Sequence, residues 1–315
     1  MNLKKVSVIG AGNVGSAVAF SLSKSGLFND IAVVDIDEGK AVGEALDIAH
    51  GSMLSGHPAR VYAGSYEEDM KDSDVAVITA GAANKDNPSR LALVDSSTKI
   101  FKQIVPAMMD NGFDGIIIVV ANPVDIMTYV TYKLSGLPRE RVIGTGTLLD
   151  TARFKYGLST RLNVNPNSIE ATVIGEHGDS SVATFSKVTV NGHSLEDYLQ
   201  VVHSKELSAE DKEKLSQEIK DAGYVVFKNK GMTNYGIAQT VERICFAICR
   251  DENVILPVGS NLEGEYGLKD VALSVPALVN SEGAHILELE YTFEEINALK
   301  ESAKILQDNM GNLDL

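Results

Sequence analysis

Short apolar runs alternate with amphipathic stretches along the first half of the chain. The runs at 6–9, 31–35, 75–79 and 115–120 are rich in Val, Ile and Ala and are typical of buried strands. Between them, apolar residues recur three and four positions apart, as in the predicted helix over 38–50. Further strands are predicted at 60–63 and 141–144, and a further long helix ends near 110. This alternation indicates an α/β fold built on a doubly wound, Rossmann-type parallel sheet.

The first strand runs directly into a cluster of glycines. Gly10, Gly12 and Gly15 form G-x-G-x-x-G at the point where strand passes into helix. In this setting Gly10 permits a tight turn, Gly12 leaves space for a pyrophosphate, and Gly15 lets helix and strand pack closely. Gly26 is placed to end the helix. Because unpaired N–H groups at a helix start favour anions, the stretch predicts a dinucleotide site.

An acidic residue ends the second predicted strand. Asp35 lies about twenty residues beyond the glycines, where a carboxylate can accept hydrogen bonds from the adenosine ribose hydroxyls. The same carboxylate would repel a 2′-phosphate, which predicts NAD rather than NADP. The alternative interpretation, a β-α-β unit that binds nothing, is less favoured because glycines, helix and acid occur together.

The second half of the chain has a different, α+β pattern. Strands are predicted at 168–174 and 182–190, and Asn191-Gly192 is a strong two-residue hairpin turn. The charge-rich stretch 204–228 predicts a solvated surface helix with Leu207, Leu215 and Ile219 as its apolar stripe. A more apolar helix at 233–250 suits burial or a subunit interface.

Two further strand regions and a final helix complete the chain. Thr292 and Glu295 form a capping box at the start of that helix. The change of pattern predicts an NAD-binding Rossmann domain over 1–144 and an α+β catalytic domain over 145–315.

Charge and hydropathy narrow the classes of function. The chain has 315 residues, a formal net charge of −15 and a pI of about 4.8. No basic patch offsets this charge, so nucleic-acid and anionic-membrane binding are not expected. The strongly apolar run at 116–121 is far too short to span a bilayer.

The cysteines indicate no metal or redox site. Cys245 and Cys249 are four residues apart in a helical pattern and are interpreted as small buried hydrophobic residues. The spacing fits neither a C-x-x-C pair nor a zinc site, so no metal is expected. A reducing, cytoplasmic location is the default expectation.

Five short motifs stand along the chain: GAGNVG at 10–15, TAGA at 79–82, NPVD at 122–125, GTGTLLDTAR at 144–153 and GEHGD at 175–179. They occur in the same order in L-lactate and malate dehydrogenases, and the chain therefore resembles that family over essentially its whole length. The fourth is most similar to the L-2-hydroxyisocaproate branch. The resemblance implies a hydride transfer between NAD and a 2-oxo or 2-hydroxy acid, carried out by a dimer or tetramer.

The resemblance also implies catalytic roles, which agree with the chemistry. His177 corresponds to the acid/base, and Asp150 to the partner that orients the imidazole and stabilises its protonated form. Arg153, three residues beyond Asp150, corresponds to the cation that binds the substrate carboxylate through two hydrogen bonds. Arg90 corresponds to the arginine that closes over the site on a mobile loop and polarises the carbonyl. An ordinary ion pair on the helix surface is the alternative for Asp150 and Arg153.

Several further residues are assigned by the same correspondence. Asn122 would contact substrate and nicotinamide ribose, although it could instead cap the helix that follows. Thr233 would line the substrate pocket, Ile237 would pack on the nicotinamide, and Thr145 would lie near its carboxamide. The implied cofactor-binding set is Gly10, Gly12, Asn13, Val14, Gly15, Asp35, Thr79, Gly81, Asn122, Thr145 and Ile237.

The position that selects the substrate departs from the family pattern. A Gln there accompanies lactate dehydrogenases and an Arg accompanies malate dehydrogenases, whereas counting back from Arg90 places Asn84 there. A neutral side chain disfavours a second carboxylate, hence malate, although Lys85 could bring an ammonium into the pocket. Because Asn is shorter than Gln, we expect larger or branched 2-oxo acids to be accepted.

Two further expectations concern activation by a sugar bisphosphate and the possibility of a catalytically silent protein. Bacterial lactate dehydrogenases of this type often bind fructose 1,6-bisphosphate through an Arg and a His, and Lys155 and Glu170 occupy those positions here. An acid facing a phosphate is unfavourable, so no such activation is expected. A catalytically silent dinucleotide-binding protein is the alternative outside the enzymes, and retention of the four catalytic residues argues against it.

Overall fold

The computed structural model describes residues 4–82, 90–202, 207–311 and 313, with helix backbone but no side chains at 90–92. The strands are β1 (Lys4–Ile9), β2 (Phe28–Val34), β3 (Arg60–Ala63), β4 (Val75–Ile78), β5 (Ile116–Val119), β6 (Val142–Gly144), β7 (Ile169–Glu170), β8 (Val173–Ile174), β9 (Val182–Ala183), β10 (Thr189–Val190), β11 (His193–Ser194), β12 (Val254–Glu263), β13 (Lys269–Asn280) and β14 (Gly283–Ile286). The α-helices are α1 (Asn13–Ser25), α2 (Glu38–Ser52), α3 (Tyr66–Asp69), α4 (Arg90–Asp110), α5 (Val124–Ser135), α6 (Leu148–Leu162), α7 (Leu195–Val201), α8 (Ala209–Lys230), α9 (Tyr235–Cys249) and α10 (Phe293–Met310).

The predicted parallel sheet is confirmed. Strands β3, β2, β1, β4, β5 and β6 lie side by side in that order and pair in parallel. Strands β4 and β5 are buried along their whole lengths, as expected where helices cover both faces of a sheet. Helix α1 ends at Gly26 as predicted, and this glycine has φ +69°, the left-handed conformation that is common at helix C-caps.

The two long strands of the second half join this same sheet. Strand β12 pairs antiparallel with β13 along ten positions, and Gly259 pairs with Gly144 of β6. With β14 added, the described sheet has nine strands. A Cβ added to either Gly144 or Gly259 would lie close to the backbone of the other strand. Because neither residue has a side chain, strands β6 and β12 can approach each other at this point.

The strands predicted at 168–174 and 182–190 are not continuous, which corrects the expectation. The first divides into β7 and β8, which belong to two different small sheets. The second is interrupted by a 3₁₀ turn at Phe185–Lys187, where the Phe185 ring packs edge-on against Phe154 at 4.9 Å between centroids. The hairpin prediction is confirmed, because Val190 pairs with His193 and both turn residues have positive φ.

The helices of the second half begin later than predicted. Helix α8 starts at Ala209 because Ser208 and Asp211 form a capping box, and it buries Leu215 and Ile219. Helix α9 starts at Tyr235 and packs on α1. The capping box of Thr292 and Glu295 at the start of α10 is confirmed. None of the helices among the described residues has the length and apolar character needed to cross a membrane.

Candidate active site

The glycine turn lies where β1 passes into α1. Gly10 has φ +107°, and a Cβ there would lie 2.7 Å from the backbone nitrogen of Ala80. The Thr79 hydroxyl donates to the carbonyls of Ile9 and Gly10 at 3.1 and 3.0 Å, which ties the end of β4 to the turn. A Cβ on Gly15 would collide with the Gly10 carbonyl, so this glycine allows the helix to approach the strand.

The start of α1 is open to a phosphate group. Gly12 is the N-cap, supplies no side-chain cap, and would meet no described atom within 4 Å if it carried a Cβ. An α-helix leaves the N–H groups of its first turn without helical partners, and here that turn begins with Asn13 and Val14 beside the open space at Gly12. This combination fits a pyrophosphate bound to helix N–H groups.

Asp35 is held close to the same turn. Its Oδ2 accepts the Ala11 N–H at 2.6 Å and its Oδ1 accepts the Asp37 N–H at 2.9 Å. The side chain is only partly buried. A carboxylate has lone pairs beyond those two bonds, so Asp35 can still accept hydrogen bonds from hydroxyl groups.

Helix α6 is fixed on strand β8 by two threonines that flank Asp150. The Thr147 hydroxyl donates to the Val173 carbonyl at 2.5 Å, and the Thr151 hydroxyl accepts the Val173 N–H at 2.9 Å. His177 follows β8 by three residues. This attachment explains how a helix residue and a loop residue come together.

Three predicted side chains form one hydrogen-bonded chain. His177 Nδ1 lies 2.6 Å from Asp150 Oδ2, and Arg153 Nη1 donates to Asp150 Oδ1 at 2.7 Å. The Asp150 side chain is only 6% exposed, while those of Arg153 and His177 are 20% and 29% exposed. The carboxylate is therefore buried behind two groups that reach the solvent-accessible cavity.

The charged groups of this hydrogen-bonded cluster shift the pKa values of His177 and Asp150. Burial by itself lowers the pKa of His177, but the Asp150 carboxylate outweighs it and the pKa lies above its ordinary value. Burial raises the pKa of Asp150, yet His177 and Arg153 outweigh it, so that pKa lies below its ordinary value. The imidazole can therefore carry a proton near neutrality while Asp150 stays ionised.

A cavity of about 580 Å³ joins this cluster to the glycine turn. The predicted residues that line it are Val14, Thr79, Gly81, Asn122, Thr145, Asp150, Arg153, His177, Thr233 and Ile237. Asn122 does not cap α5, since Pro123 is the N-cap and no side chain caps the helix. The interpretation of Asn122 as a helix cap is therefore wrong.

Other predicted residues lie outside the cavity lining or outside the described residues. Gly10 and Gly12 in the adjoining turn, Asn13 and Gly15 in the first turn of α1, and Asp35 directly after β2 do not line the cavity. Asn84 and Lys85 lie outside the described residues. Arg90 is the first residue of α4, and its side chain is outside the described part of the chain.

Helix α8 contributes a wall of the cavity that the sequence interpretation missed. Lys220, Gly223, Tyr224 and Phe227 line the cavity from one face of this helix. A Cβ on Gly223 would lie 3.7 Å from Arg153 Nη2, which places the helix directly beside the arginine. The many charges of this stretch predict a solvated surface helix, which most of α8 is, and give no sign that one of its faces lines a cavity. The apolar run at 224–227 near its end was the available signal.

Models of one family match nearly the whole chain. A model described as lactate/malate dehydrogenase, NAD binding domain, matches residues 4–144. A second, described as lactate/malate dehydrogenase, alpha/beta C-terminal domain, matches residues 147–313.

Curated sequences and solved structures agree with this match. The L-lactate dehydrogenase 2 of Bacillus anthracis is 44% identical over 310 residues, covering 98% of each chain. The L-lactate dehydrogenase of Thermoanaerobacterium saccharolyticum is 44% identical over 314 residues, covering 99% of this chain and 100% of that one. The ligand-bound crystal structure of the minor L-lactate dehydrogenase from Enterococcus mundtii has a TM-score of 0.95 at 38% identity, with both chains fully covered.

Proposed function

The chain belongs to the lactate/malate dehydrogenase family, and from this premise we propose that it is an NAD-dependent L-2-hydroxy acid dehydrogenase of the L-lactate type. The hydrogen-bonded chain from His177 through Asp150 to Arg153, at one end of a cavity that reaches the glycine turn, carries this proposal. The proposal includes a division of labour between a cofactor-binding part at 1–144 and a catalytic part at 145–315.

Each side chain in the cluster has a distinct task in the proposed reaction. Arg153 binds the substrate carboxylate, which fixes the neighbouring carbonyl carbon in place. His177 donates a proton to the carbonyl oxygen during reduction and accepts it back during oxidation. Asp150 keeps the imidazole in one orientation and stabilises its protonated form. Arg90 would polarise the carbonyl oxygen.

The cofactor is NAD, which supplies the hydride acceptor or donor when bound. The first turn of α1 would hold the pyrophosphate, and Asp35 would accept the ribose hydroxyls. Thr145, Asn122 and Ile237 line the cavity where the nicotinamide end would lie. A negative Asp35 would repel a 2′-phosphate, which supports NAD over NADP.

Substrate breadth is the finer part of the proposal. Asn84 is neutral and short, and Gly223 adds no side chain to the cavity wall beside Arg153. Both leave room for a substrate side chain longer than a methyl group. We therefore propose that branched 2-oxo acids are reduced along with pyruvate. Malate dehydrogenase activity is disfavoured, because the curated relatives named above are L-lactate dehydrogenases.

A homo-oligomer is also part of the proposal. Val42, Leu46, Met53 and Leu54 on and just after α2 are between 53% and 91% exposed. Contiguous exposed apolar side chains of this kind are typical of subunit interfaces. Light scattering on the purified protein should give the mass of a dimer or a tetramer, and a monomer at micromolar concentration would contradict the proposal.

Activation by a sugar bisphosphate is not proposed. Lys155 Nζ lies 2.9 Å from Glu170 Oε2, so the lysine at this position already has a carboxylate partner. A phosphate that bound Lys155 would have to displace the Glu170 carboxylate from the lysine. The two negative groups would then still lie close together and repel each other.

The decisive experiment is NADH oxidation measured with pyruvate, 2-oxobutanoate, 4-methyl-2-oxopentanoate, phenylpyruvate and oxaloacetate, with His177→Ala as the control. Turnover of pyruvate and the branched acids supports the whole proposal, and turnover of pyruvate alone supports only its first part. A clear preference for oxaloacetate would contradict it. Absence of turnover with every acid would leave the silent dinucleotide-binding protein as the better description.

A further inference from the structure

Asp125 is a buried carboxylate directly behind the proposed acid/base. It is the second residue of α5, and only 2% of its surface is exposed. Its Oδ2 accepts the backbone N–H of His177 at 2.8 Å. This bond joins the first turn of α5, which begins two residues after Asn122, to the loop that carries His177.

The hydrogen bond from the His177 N–H does not by itself explain why residue 125 is a carboxylate. The evidence is the second carboxylate oxygen. Oδ1 is buried and accepts no hydrogen bond from any described residue. A buried charge that is only partly compensated destabilises the folded protein, and a neutral amide could accept the same N–H. The presence of a carboxylate here therefore requires a reason beyond local structure.

A carboxylate at position 125 affects the pKa of the His177 imidazole. Burial raises the pKa of Asp125 to about 6, against the opposing effect of the His177 N–H and imidazole. Asp125 is thus largely ionised at neutral pH. Its negative charge raises the pKa of His177, in addition to the larger effect of Asp150.

We propose that Asp125 is a positioning residue, which holds the acid/base loop through the His177 N–H and places a second negative charge behind the imidazole. The proposal rests on the dehydrogenase function proposed above. The other described charges around the imidazole are Asp150 and Arg153 on α6, Glu176 next to it in the chain, and Lys220 of α8 lining the same cavity.

Asp125→Asn separates the charge from the hydrogen bond. The amide oxygen can still accept the His177 N–H, so the loop should stay in place while the charge is lost. Removal of a negative charge destabilises imidazolium, so the pKa of His177 should fall by about one pH unit. Reduction needs the protonated form and should lose activity at a lower pH than in the wild type. Oxidation needs the neutral form and should begin at a lower pH.

Two independent measurements test this expectation. The first is the pH dependence of kcat/KM in both directions, in which both limits should move toward acid by the same amount. The second is an NMR titration of the His177 ring in the ligand-free protein, with the signal assigned by its loss in His177→Asn. Asp69→Asn is the matched control because Asp69 is also a buried carboxylate, lies on α3, and bonds to Lys5 and Tyr62 instead. It should leave the His177 titration unchanged.

The outcomes are distinguishable. A folded Asp125→Asn protein with wild-type pH limits and a wild-type His177 titration would overturn the inference. Wild-type protein that reduces no 2-oxo acid would overturn the proposed function, while the NMR titration would still decide the role of Asp125. If Asp125→Asn does not fold, the wild-type His177 signal should titrate in two steps, the first near pH 6 as Asp125 ionises. A single step would then overturn the inference.

Discussion

The cavity has two walls of opposite physical character. On one side, Asp150 is almost completely buried and bonds directly to His177 and Arg153. On the other, the α8 wall consists of Lys220, Gly223, Tyr224 and Phe227. Lys220 and Tyr224 have no hydrogen-bond or ion-pair partner among the described residues, and Tyr224 and Phe227 are more than half exposed.

This difference separates the chemistry from substrate selection. Groups that transfer protons and bind the reacting carboxylate must be fixed, and a buried network of charges fixes them. A wall made of a glycine and of exposed or partly exposed side chains can change in shape without disturbing that network. Substitutions on the two sides should therefore have effects of different size and kind.

The largest effect should come from removing the acid/base. His177→Asn retains a polar side chain of similar size but cannot donate a proton in the same way, so kcat/KM for pyruvate should fall about 10³-fold or more. The binding of NADH, measured by fluorescence titration, should change little because the cofactor turn is untouched. A loss below about tenfold would show that another group supplies the proton.

A change at Arg153 should affect substrate binding more than the chemical step. Lysine keeps the charge but loses the two parallel donors, so Arg153→Lys should raise the KM for pyruvate about 10²-fold. Steady-state kinetics over a range of pyruvate concentrations would measure this. An unchanged KM would mean that Arg153 serves only as the ion-pair partner of Asp150.

A side chain at Gly223 should change selectivity and leave the chemistry intact. Gly223→Val fills space beside Arg153, so kcat/KM for 4-methyl-2-oxopentanoate should fall about tenfold relative to that for pyruvate. The ratio of the two values is the measurement, with pyruvate as the internal control. Equal losses for both substrates would show that the substitution disturbs the catalytic cluster instead.

Removal of the Lys220 charge should have the smallest effect. Lys220→Ala should raise the KM for pyruvate about threefold at low ionic strength, because a partly exposed cation is screened by solvent and attracts anionic substrates only weakly. The difference should vanish in high salt. Lys228→Ala is the matched control, since Lys228 is an exposed lysine two turns further along the same helix and does not line the cavity. A salt-independent change, or the same change in the control, would contradict an electrostatic role for Lys220.

The buried wall could be predicted only in part from the residues themselves, because the pairing of His177 with Asp150, 27 positions apart, is implied by the family resemblance and depends on the attachment of α6 to β8. The spacing of Asp150 and Arg153 places both on one helix face, and the glycine turn is set by backbone conformations that few other residues adopt. Such constraints act over a few residues and are visible in the chain itself.

The exposed wall and the extension of the sheet depend on contacts between distant parts of the chain. Whether Gly223 faces solvent or Arg153 depends on how α8 packs on α6. The amphipathic pattern of a helix does not predict which part of a neighbouring helix it contacts. Likewise, the division of 168–174 into two short strands follows from pairing with different partners. Periodicity predicts strands but does not choose their neighbours.

The pairing of Gly144 with Gly259 affects whether the N-terminal part can be produced as a separate fragment. Because β6 is covered by β12, a fragment that ends after residue 144 would expose an unpaired strand edge in the middle of what is now a continuous sheet. Free edges of this kind pair with other chains and aggregate. The N-terminal part should therefore be poorly suited to recombinant production alone or to transfer into a fusion protein, even though a separate family model describes it.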